Sequence, residues 1–253
     1  MPPRDRVITL TTDFGLHDSY VAEMKAVLLA GSPTVRIVDV THEVPPQDVL
    51  YGSIVLERLV RVFPVGTGHI GVVDPGVGTD RRILLAKARG QLIICPDNGL
   101  ITWTARCHAL QSCHEVPRPS GDGSATFAGR DLIAPFAARL VRAKVSKRSI
   151  PKVTDPVLLD VRPAAKLSEA EIIYIDRFGN AVTNVRSNLL ASGAKITVGE
   201  HHLPLQRTYA DAKVNQPVAL IGSSHLLEIA VRNGSAAKKL KLKVGDRLHI
   251  SEP

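Results

Sequence analysis

The sequence predicts an α/β domain followed by a smaller all-β domain. Strand-like apolar runs alternate with helical patterns over residues 7–63, which is typical of a mixed or mostly parallel sheet with flanking helices. Between about residues 149 and 163 proline recurs and the helical period is lost, so we expect a linker there. Beyond it only short strand-like runs remain. We therefore assign residues 1–160 to the first domain and residues 161–253 to the second.

The composition is that of a globular protein without a membrane segment. Hydrophobic residues make up 44% of the chain and charged residues 22%. No apolar run approaches the ~20 residues that span a bilayer, and residues 1–6 lead into a strand without a signal-peptide core. We expect a cytoplasmic protein with no membrane partner.

The formal net charge of +8 raises the question of nucleic-acid binding, because Lys and Arg neutralise phosphates. The basic residues are spread along the chain, with local concentrations at residues 139–148 and 238–243. Aromatic residues, which could stack bases, make up only 4%. We expect a solvated basic surface and no nucleic-acid partner.

The cysteines indicate neither a disulfide framework nor a zinc site. There are three of them, Cys95, Cys107 and Cys113, and they lack the paired spacing of metal ligands. We expect ordinary thiols that hold no metal ion.

The first predicted strand, residues 7–12, delivers Asp13 into a turn. The triplet Asp13-Phe14-Gly15 matches the magnesium-binding triplet of protein kinases, but the loops that must precede that triplet have no room before residue 13. The kinase interpretation therefore fails.

Helical spacing then predicts a helix of about three turns, capped by Asp18 or Ser19 and ended by Gly31. A strand at residues 35–40 follows, and then a helix that residues 45–48 open and that runs to about residue 63.

A second acidic residue, Asp74, follows the buried strand predicted at residues 70–73. It enters a turn rich in Gly and Pro, and Arg81 follows seven residues later. Ligands of open α/β sheets bind beyond the carboxyl ends of the strands, so Asp74 lies where chemistry is expected. The alternative is an ordinary turn with a solvated Arg81-Arg82 pair.

The stretch Gly66-Thr67-Gly68-His69-Ile70-Gly71 has the spacing of a dinucleotide fingerprint but the wrong context. It follows a helix and opens a strand, whereas the fingerprint must follow a strand and open a helix. A hairpin is predicted next, with residues 83–88 and 91–95 flanking Arg89-Gly90, and then a short helix at residues 100–106.

Residues 117–125, rich in Pro, Ser and Gly, predict a flexible loop that could serve as a lid. Ala128 and Gly129 follow at the entrance of a helix with an apolar stripe. The second domain is predicted to contain strands at residues 172–175, 195–198, 218–221, 226–231 and 240–243. Its polar residues cluster at 176–180, 183–184 and 223–225.

Seven segments, in order, resemble the S-adenosyl-L-methionine (SAM) hydroxide adenosyltransferases, adenosine-forming SAM hydrolases related to the SAM-dependent fluorinase and chlorinase. The segments are Leu10-Thr11-Thr12-Asp13-Phe14-Gly15, Val38-Asp39-Val40-Thr41-His42, Val73-Asp74-Pro75-Gly76-Val77-Gly78-Thr79, Pro96-Asp97-Asn98-Gly99-Leu100, Phe127-Ala128-Gly129-Arg130-Asp131, Asp176-Arg177-Phe178-Gly179-Asn180 and Leu227-Glu228-Ile229-Ala230. The resemblance implies a small C-terminal β-barrel. It also implies a homotrimer with SAM sites between the N-terminal domain of one subunit and the C-terminal domain of the next.

The substrate-binding set implied by the resemblance is Asp13, Asp176, Phe178, Asn180, Ser223 and Glu228. Asp13 would hold the ribose hydroxyls, since a carboxylate can accept two hydrogen bonds from a vicinal diol. Asp176 would bind the amino group of the methionine part and Ser223 its carboxylate. Phe178 and Asn180 would contact the adenine. For each of these residues a role in a turn or cap is the alternative.

Family members carry an Asp-Arg-His set thought to activate water. Asp74 and Arg81 match its first two members, but Ala128 occupies the position of the His. The resemblance implies hydrolysis of SAM to adenosine and L-methionine by water or hydroxide at the ribose C5′. Ala128 implies impaired turnover, because no residue within six positions supplies another imidazole.

Two alternatives are a SAM-binding protein with little turnover and a SAM-dependent 5′-halogenase. Three features oppose the halogenase. The Asp74 carboxylate would repel a halide, the chain between Arg82 and Gln91 is too short for the fluorinase insertion, and Ser224 replaces an Arg of the fluorinase.

Overall fold

The computed structural model describes residues 7–118, 123–142, 150–191 and 193–251. These residues divide into two compact units, the first ending at Val161 and the second beginning at Arg162. Each unit has its own hydrophobic core. Part of the predicted lid loop (119–122), most of the basic stretch at 139–148 (from residue 143) and residues 1–6 lie outside the described residues.

The first unit is an α/β domain, as predicted. Its strands are β1 (Val7–Thr12), β2 (Arg36–Thr41), β3 (Gly68–Val72), β4 (Ile83–Ala88), β5 (Gln91–Pro96) and β6 (Leu110–Glu115). Its helices are α1 (Tyr20–Gly31), α2 (Val49–Val62), α3 (Thr102–Cys107) and α4 (Ala134–Val141), and a π-helical turn, Gly129–Ile133, precedes α4.

These strands form one mixed sheet in the order β2-β1-β3-β5-β4-β6. The pairs β1–β2, β1–β3 and β3–β5 are parallel, whereas β4 runs antiparallel to both β5 and β6. The predicted hairpin is confirmed, and its two turn residues, Arg89 and Gly90, have the positive φ of a primed turn, 47° and 76°. The edge strand β6 was not predicted, because its sequence, LQSCHE, has little apolar alternation.

The two faces of this sheet carry separate cores. Helices α1 and α4 contribute to one and α2 to the other. Ile94 of β5 belongs to the first core and Ile93 to the second, because successive side chains of a strand point to opposite faces. Polar side chains, Asp13 and Asp74, lie just beyond the carboxyl ends of β1 and β3.

Helix ends agree with the predictions, with one correction. Asp48 caps α2, accepting a hydrogen bond of 2.8 Å from the Tyr51 N–H. Ser19 precedes α1, but its side chain makes no cap and donates instead to Glu23 Oε1 at 2.6 Å.

The segment predicted as a linker packs, in its described part, against the first unit. Arg82 Nη1 donates to Asp155 Oδ1 at 3.0 Å, and Asp97 Oδ1 accepts from the Val157 N–H at 2.7 Å. Asp97 is buried and also binds Arg82 Nε. Arg82, Asp97 and Asp155 therefore hold the last residues of this unit against the rest of it.

The second unit is built mainly of strands, as predicted. They are β7 (Ile172–Ile175), β8 (Ala181–Arg186), β9 (Lys195–Val198), β10 (His201–Leu203), β11 (Leu205–Gln206), β12 (Pro217–Ile221), β13 (Leu226–Val231) and β14 (His249–Ser251), with one short helix, α5 (Ala236–Lys239). They form a five-stranded sheet, β11-β12-β13-β8-β7, and a three-stranded sheet, β10-β9-β14. Closure into a barrel stays a prediction.

One strand prediction for this unit is wrong, and four strands, β8, β10, β11 and β14, were not predicted. Residues 240–243 are not a strand but follow α5, and Lys241 has a φ of 55°, which no extended strand adopts. Strand β8 was missed because Thr183 and Asn184 are polar. Both are buried and satisfied, Thr183 by donating to the Leu227 carbonyl and Asn184 by donating to two backbone carbonyls.

The described helices are each too short or too polar to cross a bilayer.

Cys95 and Cys113 are buried in the first unit, and burial raises the pKa of both thiols, that of Cys113 to about 11. Neither thiol is a nucleophile near neutral pH.

Candidate active site

The carboxyl ends of two neighbouring strands bring Asp13 and Asp74 to one edge of the sheet. Thr12, the last residue of β1, pairs in parallel register with Val72, the last residue of β3. Both carboxylates line a cavity of about 500 Å³, together with Ala128. The sequence expectation that acidic residues gather beyond the strand ends therefore matches the geometry of this unit.

An aromatic cluster forms the apolar wall of this cavity. The rings of Phe14, Tyr20 and Phe127 pack edge to face or tilted, with centroids 5.2 to 5.7 Å apart. Such a wall beside two carboxylates suits a ligand with one apolar, planar part and several hydroxyl or amino groups.

Asp74 and Arg81 form a buried, two-pronged ion pair. Arg81 Nε donates to Asp74 Oδ1 at 2.6 Å and Nη2 donates to Oδ2. The side chains are only 5% and 11% exposed. The intervening turn folds back at Gly78, whose φ is 87°. This fork fixes the orientation of the carboxylate.

Arg118, which sequence reasoning missed, braces the same turn. Its Nη2 donates to the carbonyls of Thr79 at 3.1 Å and Arg81 at 2.9 Å. It also lines a second cavity, of about 200 Å³, with Arg81 and Ala128. Ala128 thus lies between the cavity that contains Asp74 and the cavity that contains Arg81.

The segment carrying Ala128 is clamped to α1. Arg130 donates to Glu23 Oε2 at 2.7 Å and to Asp131 Oδ1 at 2.6 Å, and Asp131 Oδ2 accepts from the Ser124 N–H at 2.8 Å. The hydrogen bond from Arg130 holds the pKa of Asp131 below its usual value. This clamp keeps the π-helical turn beside the cavity.

The turn after β1 is held by the segment after β2. Asp13 Oδ2 accepts from the Gln47 N–H at 2.9 Å, and the His42 carbonyl accepts from the Gly15 N–H at 2.7 Å. The buried His42 ring also contacts Thr12 Oγ1 at 2.9 Å and Asp39 Oδ1 at 3.1 Å. Asp13 is therefore positioned from two sides.

In the second unit, Asp176 organises the turn between β7 and β8. Its Oδ1 accepts from the N–H groups of Phe178 and Asn180, both at 2.9 Å, and its Oδ2 accepts from Asn180 Nδ2 at 3.0 Å. Asn180 is buried, whereas Phe178 is 76% exposed. The turn role considered for Asp176 and Asn180 is thus real, and a large aromatic ring is left at the surface.

Glu228 lies buried on β13, the central strand of the five-stranded sheet. Its Oε1 accepts a hydrogen bond of 2.5 Å from the Tyr209 hydroxyl. A β-carbon at Gly222, next to the exposed Ser223, would collide with Glu228 Oε2. The pKa of Tyr209 is raised. The largest cause is burial, followed by the hydrogen bond to Glu228 and then by the charges of Glu228 and Asp176. Tyr209 was missed because no motif surrounds it.

The predicted residues therefore fall into two groups. Asp13, Asp74, Arg81 and Ala128 gather in the first unit, and Asp176 and Glu228 lie near Tyr209 in the second. Within the described ranges, no three His, Cys, Asp or Glu side chains are placed to hold a metal ion.

Comparison with known proteins gives matches over both units. Residues 8–149 match the model of the SAM hydroxide adenosyltransferase N-terminal domain, and residues 170–249 match that of the C-terminal domain. A protein of Thermus thermophilus named (R)-S-adenosyl-L-methionine hydrolase is 38% identical, over 95% of this chain and 97% of its own.

A protein of Nocardia brasiliensis named fluorinase is 27% identical, over 98% of this chain and 97% of its own. Among solved structures, an uncharacterized conserved protein from Thermotoga maritima superposes with a TM-score of 0.88. It is 31% identical, and the match covers 97% of this chain and 100% of that one.

Proposed function

The chain belongs to the SAM hydroxide adenosyltransferase family, and on that premise we propose that it hydrolyses SAM to adenosine and L-methionine. The observation that carries the proposal is the buried Asp74–Arg81 pair, whose carboxylate lines the same cavity as Asp13. The relative from Thermus thermophilus is named for the (R) sulfonium epimer, and we extend that preference to this chain.

The reaction is a displacement at the ribose C5′. A bond forms between the oxygen of water and C5′ while the bond between C5′ and sulfur breaks. Sulfur keeps the electron pair and leaves as the neutral thioether of methionine, and the proton of the water passes to a base. The sulfonium is already a good leaving group, so the proposed reaction requires no metal or cofactor. The protein's part is to position a dehydrated water and to help it lose a proton.

We propose that Asp74 either accepts the proton or orients the water. Arg81 positions the Asp74 carboxylate. A guanidinium bound through two nitrogens holds the carboxylate in one orientation. Its positive charge also favours hydroxide over water nearby. Ala128, between the two cavities, has no group that can relay the proton. We therefore propose slow turnover.

Substrate recognition is proposed to involve both groups of residues. Asp13 lines the cavity with its carboxylate and would accept from the ribose diol. The second unit would supply Asp176 and Ser223 for the methionine part, Phe178 and Asn180 for the adenine, and Glu228. Following the family resemblance, we propose a homotrimer in which each site takes residues from two subunits.

A second candidate is a SAM-binding protein with little turnover, and Ala128 is the observation that favours it. One experiment separates the readings. Purified protein is incubated with each sulfonium epimer of SAM, with and without chloride, and the products are identified by mass spectrometry. Adenosine and methionine support hydrolysis, intact bound SAM supports the second candidate, and a 5′-chloro nucleoside would refute both. An Asp74→Asn variant, which keeps the shape of the side chain, is the control.

A further inference from the structure

Two consecutive residues after β5, Asp97 and Asn98, hold the two ends of the loop that carries Asp74 and Arg81. We infer that they are positioning residues for the reaction, an inference that rests on the proposed function. They keep the Asp74 carboxylate and its Arg81 partner in register. Both are described residues, and neither is among the side chains that line the cavity of about 500 Å³ beside Asp74, so they act through the loop.

The loop of residues 74–81 has little structure of its own. It contains one proline and two glycines, and residues 75 and 77–80 are exposed. The N–H groups of Val77 and Thr79 close turns within it through backbone hydrogen bonds of 3.2 Å. An exposed segment with few buried apolar contacts opens easily, so its shape depends on what holds its ends.

Asn98 holds the beginning of the loop. Its Nδ2 donates to the Val73 carbonyl at 2.8 Å, and its Oδ1 accepts from the Leu100 N–H at 3.2 Å. Val73 is fully buried and directly precedes Asp74. The bonded carbonyl belongs to the planar peptide group that joins Val73 to Asp74, so this hydrogen bond fixes the plane from which the Asp74 side chain starts.

Asp97 holds the end of the loop. Its carboxylate, only 2% exposed, accepts from Arg82 Nε at 2.7 Å, and its N–H donates to the Arg82 carbonyl at 2.9 Å. The other carboxylate oxygen accepts from the Val157 N–H. Arg82 directly follows Arg81. An ion pair to a buried carboxylate is costly to break, so both the side chain and the backbone of Arg82 are held firmly.

The sheet explains why one short segment can hold both ends. Strand β3 leads into the loop, β4 leaves it, and β5 lies between these two strands in the sheet. The end of β5 therefore separates the two ends of the loop and sets the distance between them. The Asp74–Arg81 pair spans the same loop, so its geometry depends on that distance. A displacement of about 1 Å in a catalytic group can cost about 10²-fold in rate.

The test measures the loop and the chemistry separately in two variants that keep the side-chain shape. Asn98→Asp cannot donate to the Val73 carbonyl, and Asp97→Asn loses the charge that binds Arg82. Hydrogen exchange of residues 74–82, followed by mass spectrometry, should be about tenfold faster in each, the usual effect of losing one buried hydrogen bond. Single-turnover adenosine formation at saturating SAM should fall by about 10²-fold. SAM affinity, measured by calorimetry, should change little, because the proposed recognition residues lie elsewhere.

Glu57→Gln is the matched control. It also neutralises a buried carboxylate of the first unit, one that contacts His108 Nε2 at 3.0 Å and Arg61 Nε at 3.3 Å. It should lower Tm and leave both the exchange of residues 74–82 and the single-turnover rate unchanged. Exchange in β4 and β5 shows that each variant is folded.

Three results would overturn the inference. The first is wild-type exchange of residues 74–82 in both Asn98→Asp and Asp97→Asn. The second is a rate in these variants that falls no further than in Glu57→Gln, and the third is a loss of SAM affinity as large as the loss of rate. A wild-type protein that forms no adenosine would overturn the proposed function instead, and hydrogen exchange would still decide whether Asp97 and Asn98 hold the loop.

Discussion

The carboxylate of Asp74 and those of Asp176 and Glu228 are satisfied in opposite ways. Asp74 is neutralised by a guanidinium held at 2.6 Å. Asp176 and Glu228 are held by neutral donors, two backbone N–H groups in one case and the Tyr209 phenol in the other. A carboxylate bound to Arg through two nitrogens is held in one orientation, whereas one held by neutral donors keeps its attraction for a cation. The difference fits the proposed roles, in which Asp74 takes part in the chemistry and the second unit contributes to recognition.

The largest expected effect lies on the chemical side. Ala128→His should raise the single-turnover rate of adenosine formation by about 10² to 10⁴, the usual contribution of acid-base help from an imidazole that titrates near neutral pH. SAM affinity should change little. Rates are measured at saturating SAM across pH. Ala128→Asn is the matched control, because its side chain enters the same cavities but cannot relay a proton near pH 7. Equal rates for the two variants would mean that the imidazole has no catalytic role.

Asp13 tests whether the first unit also recognises substrate. Asp13→Ala removes the acceptor of two proposed hydrogen bonds from the ribose diol, so SAM affinity should fall about 10²-fold, roughly tenfold for each bond. Calorimetry measures the affinity. Asp13→Asn retains one carbonyl oxygen that can accept from the Gln47 N–H, and it should lose less. Unchanged affinity of Asp13→Ala would contradict the assignment.

A complementation experiment sharpens the comparison between the units. If each site takes residues from two subunits, mixing Asp13→Ala protein with Asp176→Ala protein should rebuild a minority of intact sites. SAM binding by the mixture should then exceed that of either variant alone. Analytical ultracentrifugation of the same samples checks for trimers. A monomer that binds SAM with full affinity would exclude the shared site.

The smallest expected effect concerns stability. The hydrogen bond from Arg130 lowers the pKa of Asp131 below its ordinary value of 3.8. A depressed folded-state pKa adds stability above the ordinary value, and that stability is lost as pH falls through the folded-state value. Asp131→Asn should therefore lower Tm by a few degrees at pH 6, and the difference should shrink below about pH 4. A constant difference across pH would refute the ionic origin.

Local patterns predicted most of the first unit because its elements carry their own signals. Strand β1 is β-branched and apolar, and α2 begins at a capping Asp48. The failures have physical causes. Strand β8 contains Thr183 and Asn184, whose burial depends on hydrogen bonds to distant carbonyls. In residues 240–243 Leu and Lys alternate, a pattern typical of a strand, but Lys241 adopts a left-handed conformation.

The candidate site was predictable where a residue follows a strand end, as Asp13 and Asp74 do. Arg118 and Tyr209 were not predictable, because they act on partners far away in sequence. Arg118 contacts carbonyls 39 and 37 positions away, and Tyr209 contacts a carboxylate 19 positions away. Only tertiary packing reveals such partners.

The π-helical turn after Ala128 has a consequence for the length of this segment. A π turn contains one residue more than an α turn, and here the wide turn spans Gly129–Ile133. Deleting one residue from it would restore regular α winding. Ala128 would then rotate by about 100° around the helix axis, one residue's share of a turn of 3.6 residues. Its side chain would leave the cavities it now lines, so the length of this turn, and not only its sequence, places residue 128 at the candidate site.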